Sequence, residues 1–301
     1  MTPRLTALVT LVFALTGINT GLAQPGTRKQ VTVPGGVIAY YERGPSTGTP
    51  LVLVSGGPGF GSDYFSFRPW GGFEKTHRNV RYDQRGTGAS SAIGPKDKVS
   101  VDQFVADIEA LRVALKADKI DLLGHSWGGY LSMAYATKHA DRLAHLILLD
   151  AAAPKFSETL LLFKDAFPDR GDFIAQFGRG VEVGGATMDS ALTSYVSSIF
   201  YAPENATQFL AQLGDSHFNR FQHQQLSREM GAVDLSAGVR KITVPTLVIT
   251  GRYDMNVAPL TAYKIHQMIP GSKFTVFEKS SHMPFYEEGP RFGSVLEQFL
   301  K

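Results

Sequence analysis

The sequence has no cysteine among its 301 residues. Disulfide bonds, thiolate metal sites and lipid attachment through a cysteine are therefore excluded. Apart from the N-terminus, no apolar run is long enough to predict a membrane span. The formal net charge of +3 is too small to suggest nucleic acid as a partner. The remaining composition, with 43% hydrophobic and 19% charged residues, is typical of a soluble globular protein.

The N-terminus has the three features of a secretory signal peptide. Arg4 supplies positive charge, residues 5–17 form a short apolar run, and the small residues Gly21 and Ala23 indicate a cleavage site. We expect cleavage after Ala23, which makes residues 1–23 the signal peptide. The sequence thus predicts an exported protein, either periplasmic or secreted. A short buried helix is the alternative interpretation of the same apolar residues.

Short β-rich runs alternate with amphipathic helices along much of the chain. A hairpin signal lies at Pro34-Gly35-Gly36, and the run PLVLVSG at residues 50–56 is continuously apolar. Such a run is typical of a strand buried on both faces. The alternation predicts an α/β fold with a mostly parallel central sheet and helices on both of its faces.

The alternation stops after about Pro154 and resumes after Arg240. Between these points the sequence has helical runs and several phenylalanines, which predicts a helical cap over the edge of the sheet where the strands end. The predicted division is therefore a core of residues 24–153 and 241–301, interrupted by a cap at residues 154–240.

A serine between glycines follows one of the predicted strands, in the stretch LLGHSWGGYL at residues 122–131. Ser126 stands before a predicted helix, in the G-x-S-x-G pattern of a nucleophile elbow. In such a turn, side chains two residues before and after the serine collide with neighbouring backbone, and Gly124 and Gly128 fit this requirement. A glycine-rich loop without catalytic function is the alternative.

A nucleophilic serine needs a base, and the base needs an orienting acid. On the fold that carries this elbow, the chain order is serine, acid, histidine. Asp254 and His282 follow in that order, each just beyond a predicted strand, so both are expected at the same sheet edge as Ser126. Asp150, at the end of the strand LILLD, is the competing acid. His125, next to the serine, is interpreted as a packing residue.

A second glycine cluster, SGGPGFGSDYF at residues 55–65, also follows a predicted strand. The tetrahedral oxyanion formed by an attacking serine needs two N–H donors. We expect the backbone of Trp127, beside the nucleophile, to supply one donor and that of Gly57 the other. Pro58 would stiffen the loop. A plain β-turn is the alternative.

Five motifs occur in the order and spacing of the α/β-hydrolase superfamily: SGGPG, YDQRGTGAS, GHSWGG, GRYDMNVAP and SSHMPFYEE. Among its branches the chain most resembles the proline iminopeptidase family of serine peptidases, over nearly all of the mature chain outside the cap. The resemblance implies an α/β-hydrolase fold without a metal or organic cofactor. It also implies the triad of Ser126, Asp254 and His282, with Gly57 and Trp127 as oxyanion donors.

The chain departs from the family at two places. Ser55 stands where the family usually has histidine, and the cap, whose carboxylates hold the substrate's amino terminus in the family, is short. The segment from Lys155 to Arg240 contains ten acidic and seven basic residues, which gives it a net charge of −3. We expect Glu204 and Glu229 to bind the amine. A solvated acidic surface predicts the same count.

The sequence therefore predicts a serine hydrolase of the prolyl aminopeptidase type, which releases an N-terminal residue, preferably proline, through an acyl-enzyme on Ser126. The predicted partner is a small molecule or short peptide. We expect Phe60 to line the pocket for the pyrrolidine ring, with Trp127, Phe285 and Tyr286 as further candidates. The competing function is a carboxylesterase or lactonase with the same triad. A binding protein that keeps the fold without turnover is the third possibility.

Overall fold

The computed structural model describes residues 27–169, 188–213 and 218–301. The signal peptide predicted at residues 1–23 lies outside these ranges. Eight strands form one sheet: β1 (Thr27–Val33), β2 (Gly36–Arg43), β3 (Leu51–Val54), β4 (Asn79–Tyr82), β5 (Ile120–His125), β6 (Leu143–Leu149), β7 (Thr246–Gly251) and β8 (Lys273–Phe277).

The strands are ordered β1-β2-β4-β3-β5-β6-β7-β8 across the sheet. The pairs β1–β2 and β2–β4 are antiparallel, and the other neighbouring pairs are parallel. The predicted hairpin is confirmed, with Val33 paired to Gly36 across the turn. Because β3 and β5 to β8 are parallel neighbours, the loops at their carboxyl ends all lie at one edge of the sheet.

Helices occupy both faces of the sheet and the segment between β6 and β7. The α-helices in the described residues are α1 (Phe73–Thr76), α2 (Val101–Ala114), α3 (Trp127–His139), α4 (Phe163–Ala166), α5 (Met188–Ser198), α6 (Pro203–Leu213), α7 (Arg220–Ala232), α8 (Ser236–Val239), α9 (Pro259–Met268), α10 (Pro284–Glu287) and α11 (Gly289–Phe299). None of them is both long enough and apolar enough to cross a membrane.

Alternate residues of the central strands enter two separate apolar cores, as the two-residue period of a strand requires. Leu122 belongs to the core that includes Ile108 of α2. Leu123 belongs to the other core, together with Phe292 of α11. Burial on both faces is the reason that these strands have continuous apolar sequences.

Among the described residues between β6 and β7, the α-helices are α4 to α8. Tyr195 of α5 and Phe209 of α6 join the second apolar core together with Phe285 of α10. These cap helices are therefore packed onto the same end of the molecule as the loops that follow β5, β7 and β8.

Candidate active site

Ser126 occupies a strained turn between β5 and α3. Its φ of 58° and ψ of −119° lie in a region that non-glycine residues rarely adopt. A Cβ added at Gly124 would overlap the carbonyl of Gly128, and one added at Gly128 would overlap the carbonyl of Val54. The glycines on either side thus allow the backbone to pass closely enough to present the serine hydroxyl.

His282 and Asp254 form a buried pair in the loops after β8 and β7. Nδ1 of His282 lies 2.7 Å from Oδ2 of Asp254, and both residues are at most 1% exposed. The other oxygen of Asp254 accepts the backbone N–H groups of Asn256 and Val257, each at 2.8 Å. A carboxylate that accepts these bonds fixes the imidazole with its proton on Nδ1, which leaves Nε2 as the basic nitrogen.

Ser126 and His282 line the same cavity, of about 340 Å³. Across the described residues, however, no hydrogen bond joins Oγ of Ser126 to Nε2 of His282. Nε2 instead lies 3.0 Å from the side-chain nitrogen of Asn256. The structure therefore brings the three predicted residues to one site without closing the serine–histidine contact. Catalytic hydrogen bonds are often long or unformed before substrate binds.

The two backbone N–H groups predicted to bind the oxyanion are available for different structural reasons. Trp127 is the first residue of α3, so its N–H has no acceptor within the helix and lies at the positive end of the helix dipole. Gly57 lines the cavity beside Ser126 and has a φ of 120°, which favours glycine. The neighbouring N–H of Gly56 is not available, because it donates to the hydroxyl of Tyr64 at 2.5 Å.

A buried chain of hydrogen bonds joins the oxyanion loop to the histidine loop through His125. Nε2 of His125 lies 2.9 Å from the carbonyl oxygen of His282, which can only accept, so Nε2 carries the proton. Nδ1 must then accept, and the hydroxyl of Tyr64 donates to it at 2.9 Å. Burial, reinforced by the nearby His282, holds the pKa of His125 well below its usual value, which is consistent with a neutral ring. His125 thus connects the loops in addition to packing.

Gln84, in the YDQRG motif, links the oxyanion loop to the start of α3. Its side-chain nitrogen donates to the carbonyl of Ser55 at 2.8 Å, and its oxygen accepts from the indole of Trp127 at 2.9 Å. In the same motif, Arg85 forms a buried ion pair with Asp107 at 2.5 Å. These residues hold the loops around Ser126 and do not line its cavity.

The cavity wall is mostly apolar. Phe60, the residue that the sequence places at the substrate pocket, is part of this wall, and helices α5 and α6 contribute to it. The lining residues are Gly56, Gly57, Phe60, Tyr64, His125, Ser126, Tyr195, Val196, Ile199, Phe209, His282 and Met283. Among the other aromatic candidates, Trp127 lines an adjoining cavity of about 390 Å³. Phe285 and Tyr286 belong to the buried core.

The structure does not bring Glu204 or Glu229 to either cavity. Glu204 is exposed on the first turn of α6. Glu229 accepts the backbone N–H of Val101 at 2.9 Å, at the start of α2. The charge of the cap gives no information on which face of each helix a carboxylate occupies, and neither carboxylate lines the cavities beside Ser126.

Asp150, the competing acid, follows the last residue of β6 and is fully buried. Its Oδ1 accepts the N–H of Gly251 at 2.9 Å. The nitrogen of His282 that needs an acid is already paired with Asp254. Asn256, two residues after Asp254, was not predicted, since its contact with the imidazole depends on a loop conformation that has no sequence signal.

The comparisons with known proteins agree with this geometry. The sequence profile described as alpha/beta hydrolase fold matches residues 49–289. The proline iminopeptidase of Saccharolobus solfataricus is 30% identical over 291 residues, which cover 88% of this chain and 89% of that protein. The proline iminopeptidase of Heyndrickxia coagulans is 27% identical over 288 residues, which cover 90% and 97%. Among solved structures, an esterase (EaEST) from Exiguobacterium antarcticum has a TM-score of 0.71 at 27% identity, over 91% of this chain and 99% of that one. The chain therefore belongs to the α/β-hydrolase family and, within it, to the proline iminopeptidase family.

Proposed function

We propose that the protein is a serine hydrolase that releases an N-terminal residue, preferably proline, from short peptides. The observation that carries this proposal is the shared cavity of Ser126 and His282, with His282 held by Asp254 at 2.7 Å. Its relatives from Saccharolobus solfataricus and Heyndrickxia coagulans, both named proline iminopeptidase, support the choice of substrate.

In the proposed reaction, Nε2 of His282 takes the proton of Ser126 while Oγ attacks the carbonyl carbon of the first residue. The N–H groups of Gly57 and Trp127 stabilise the resulting oxyanion, and the loss of one such donor typically costs about 3–4 kcal/mol. The protonated imidazole then gives its proton to the leaving amine, and the C–N bond breaks. Water, activated by the same imidazole, hydrolyses the acyl-enzyme and regenerates Ser126.

The shape and chemistry of the cavity support a small apolar acyl group. Its wall presents Phe60, Val196, Ile199 and Phe209 around the serine, and the ring carbons of an N-terminal proline offer an apolar surface that such a wall can cover. Ile199 also accepts the backbone N–H of His282 at 3.1 Å, which connects the cap to the loop of the proposed base.

One observation favours the second candidate, a carboxylesterase or lactonase. None of the described residues that line either cavity carries a carboxylate. A free amino terminus bound there would meet no negative charge from these residues, whereas a neutral ester needs none. The esterase from Exiguobacterium antarcticum has the same fold at 27% identity.

A matched panel of substrates separates the two candidates. We expect hydrolysis of proline naphthylamide, with much weaker hydrolysis of N-acetyl-proline naphthylamide, because an aminopeptidase requires the free amine. Short p-nitrophenyl esters and a lactone complete the panel. Equal turnover of the blocked and free amides, or ester turnover without any amide turnover, would assign the protein to the second candidate.

The Gln variants of Glu204 and Glu229 are controls within the same panel. Both side chains lie away from the cavity, so we expect each variant to keep the parental ratio of amide to ester turnover. Selective loss of amide turnover in either variant would give that carboxylate the amine-binding function predicted from the sequence.

Export is part of the proposal and rests on the signal-like features at residues 1–23. We expect expression of the full chain to yield a mature protein that begins at Gln24 outside the cytoplasm. N-terminal sequencing of the fractionated protein tests this expectation, and an intact Met1 in the cytoplasmic fraction would contradict it.

A further inference from the structure

Asp150 is a buried carboxyl group that the proposed reaction does not use. It lies at the end of β6 with a φ of 43° and is 0% exposed. Oδ1 accepts the N–H of Gly251 at 2.9 Å, but Oδ2 is buried with no hydrogen-bond partner among the described residues. An ionised carboxylate oxygen in this position lacks a hydrogen-bond donor. A protonated oxygen is itself a donor and needs an acceptor nearby.

The acceptor next to it is the carboxylate of Asp254. An Asp150 oxygen lies within 4.8 Å of a ring nitrogen of His282, whose Nδ1 is 2.7 Å from Asp254. The two acids are therefore neighbours, and the charge of Asp254 acts on Asp150. Two buried carboxylates in contact cannot both ionise without a large penalty, so the pair holds one proton.

The hydrogen-bond donors around each acid determine which of them keeps that proton. Asp254 accepts two backbone N–H groups and the Nδ1–H of His282. Asp150 accepts the N–H of Gly251, and its other oxygen has no partner among the described residues. More and stronger donors stabilise the ionised form of Asp254, and burial together with the charge of Asp254 raises the pKa of Asp150 well above its usual value.

The other titratable groups on the surrounding elements add no positive charge for Asp150. An Asp150 oxygen and ring nitrogens of His125 and His282 all lie within 4.8 Å of one another. His125 is held neutral by burial, and Nδ1 of His282 is directed to Asp254. From the cap, the hydroxyl of Tyr195 is close enough to feel the charge of Asp254, and burial raises the pKa of this phenol.

We propose that Asp150 is a positioning residue, held as a carboxylic acid, whose Oδ2–H donates to Asp254, so that the two acids carry a single negative charge beneath His282. This inference rests on the proposed function insofar as His282 is the base. The donated bond fixes the side chain of Asp254 from the side opposite the imidazole. It also prevents a second negative charge from over-stabilising the protonated imidazole.

The first test compares Asp150→Asn with Asp150→Ala in the full chain, with a p-nitrophenyl ester as the substrate. The amide group that Asp150→Asn introduces can donate the same hydrogen bond, so this variant keeps most of kcat and leaves the acid limb of the pH profile of kcat/KM in place. Asp150→Ala loses the donor, and its kcat falls about tenfold or more while KM changes little, as expected for lost positioning. If Asp150 were instead ionised, Asp150→Asn would move the acid limb to lower pH, because a negative charge near the imidazole is removed.

The second test measures stability and does not depend on turnover, so it separates this inference from the proposed function. The wild-type chain must take up a proton at Asp150 on folding once the unfolded side chain is ionised, and its stability therefore falls as pH rises. Asp150→Asn does not titrate, so we expect its urea midpoint to rise relative to wild type between pH 5 and pH 8. Asp118→Asn makes the same substitution at a side chain that is 87% exposed, and it should show no such trend. A constant difference for Asp150→Asn across this range would overturn the inference.

A third measurement requires no unfolding. Infrared spectra at pH 7 should contain the carbonyl stretch of a buried, protonated carboxyl group in the wild-type chain. Asp150→Asn should lack that band, and Asp118→Asn should retain it. Absence of the band from the wild-type spectrum would overturn the inference even if the Asp150 variants fail to fold.

Discussion

The side-chain nitrogen of Asn256 lies 3.0 Å from Nε2 of His282. The same amide nitrogen is 2.9 Å from the hydroxyl of Tyr195 on the cap. Because Nδ1 of His282 donates to Asp254, Nε2 is an acceptor, and the amide of Asn256 occupies its lone pair. Asn256 and Ser126 therefore compete for the one nitrogen that can take the serine proton.

We expect Asn256→Ala to increase the rate at which a fluorophosphonate inactivates the enzyme. A typical hydrogen bond contributes about 1 kcal/mol net, so freeing Nε2 corresponds to a rate increase of about fivefold. Tyr195→Phe is the control, because it removes a neighbouring hydroxyl and leaves the contact between Asn256 and His282 intact. A slower reaction of Asn256→Ala would show that the amide supports the base.

Ser126→Ala should abolish fluorophosphonate labelling and lower kcat by roughly 10⁵-fold or more, since it removes the proposed nucleophile. Ser132 lies in the helix that follows and offers a matched control, because its hydroxyl is fully buried and has no hydrogen-bond partner in the part of the chain that the structure describes. Ser132→Ala should keep both labelling and turnover. Persistent labelling of Ser126→Ala would assign the nucleophile elsewhere.

Gly128→Ala should destabilise the fold strongly, because the new methyl group overlaps the backbone carbonyl of Val54 in the adjacent strand. We expect a loss of about 3 kcal/mol or more in the free energy of unfolding. Gly231→Ala is the matched control, since it lies in α7 with open space around its Cβ position. Better helix propensity should stabilise this variant by about 0.5–1 kcal/mol. Similar effects of the two substitutions in urea titrations would contradict the elbow packing.

The parts of the site that the sequence predicts are those fixed by local sterics and by chain order. A Cβ at Gly124 would overlap the carbonyl of Gly128 in α3, and a Cβ at Gly128 would overlap the carbonyl of Val54 in β3. The glycine pattern around Ser126 therefore follows directly from the geometry of the turn. Asp254 and His282 follow parallel strands, and parallel strands end at one edge of the sheet. The prediction of the α/β-hydrolase fold is confirmed. It succeeds because the order of apolar residues along the chain indicates both which strands are buried and where helices alternate with them.

The parts that the sequence does not predict depend on side-chain directions set by distant segments. Tyr64 meets His125 only because the loop after β3 folds back over the elbow. Glu229 lies on α7 and caps the start of α2 instead of facing the cavity, and no charge count distinguishes these two faces. Sequence patterns report which residues are buried, but not which buried polar atoms become partners.

Tyr64→Phe should reduce both stability and kcat. The hydroxyl of Tyr64 accepts from Gly56 and donates to His125, so its removal leaves two buried groups without partners, at about 1–3 kcal/mol each. Tyr82 supplies the control: its hydroxyl is equally buried but has no partner among the described residues. Tyr82→Phe should be neutral or slightly stabilising. Equal losses for the two variants would contradict the bonding pattern assigned to Tyr64.

His125 should make the folded state sensitive to acid. Its pKa is held well below the usual value by burial and by His282, so the folded chain keeps this ring neutral while the unfolded chain takes up a proton below about pH 6.5. The unfolded state then binds more protons, and the free energy of unfolding falls by up to about 1.4 kcal/mol for each unit of pH below that point. His125→Gln keeps an N–H donor but does not titrate, so its stability should depend less steeply on pH between 6.5 and 5 in urea unfolding. Identical slopes for the two proteins would mean that His125 accepts a proton in the folded state, which the buried contacts to Tyr64 and to the carbonyl of His282 do not accommodate.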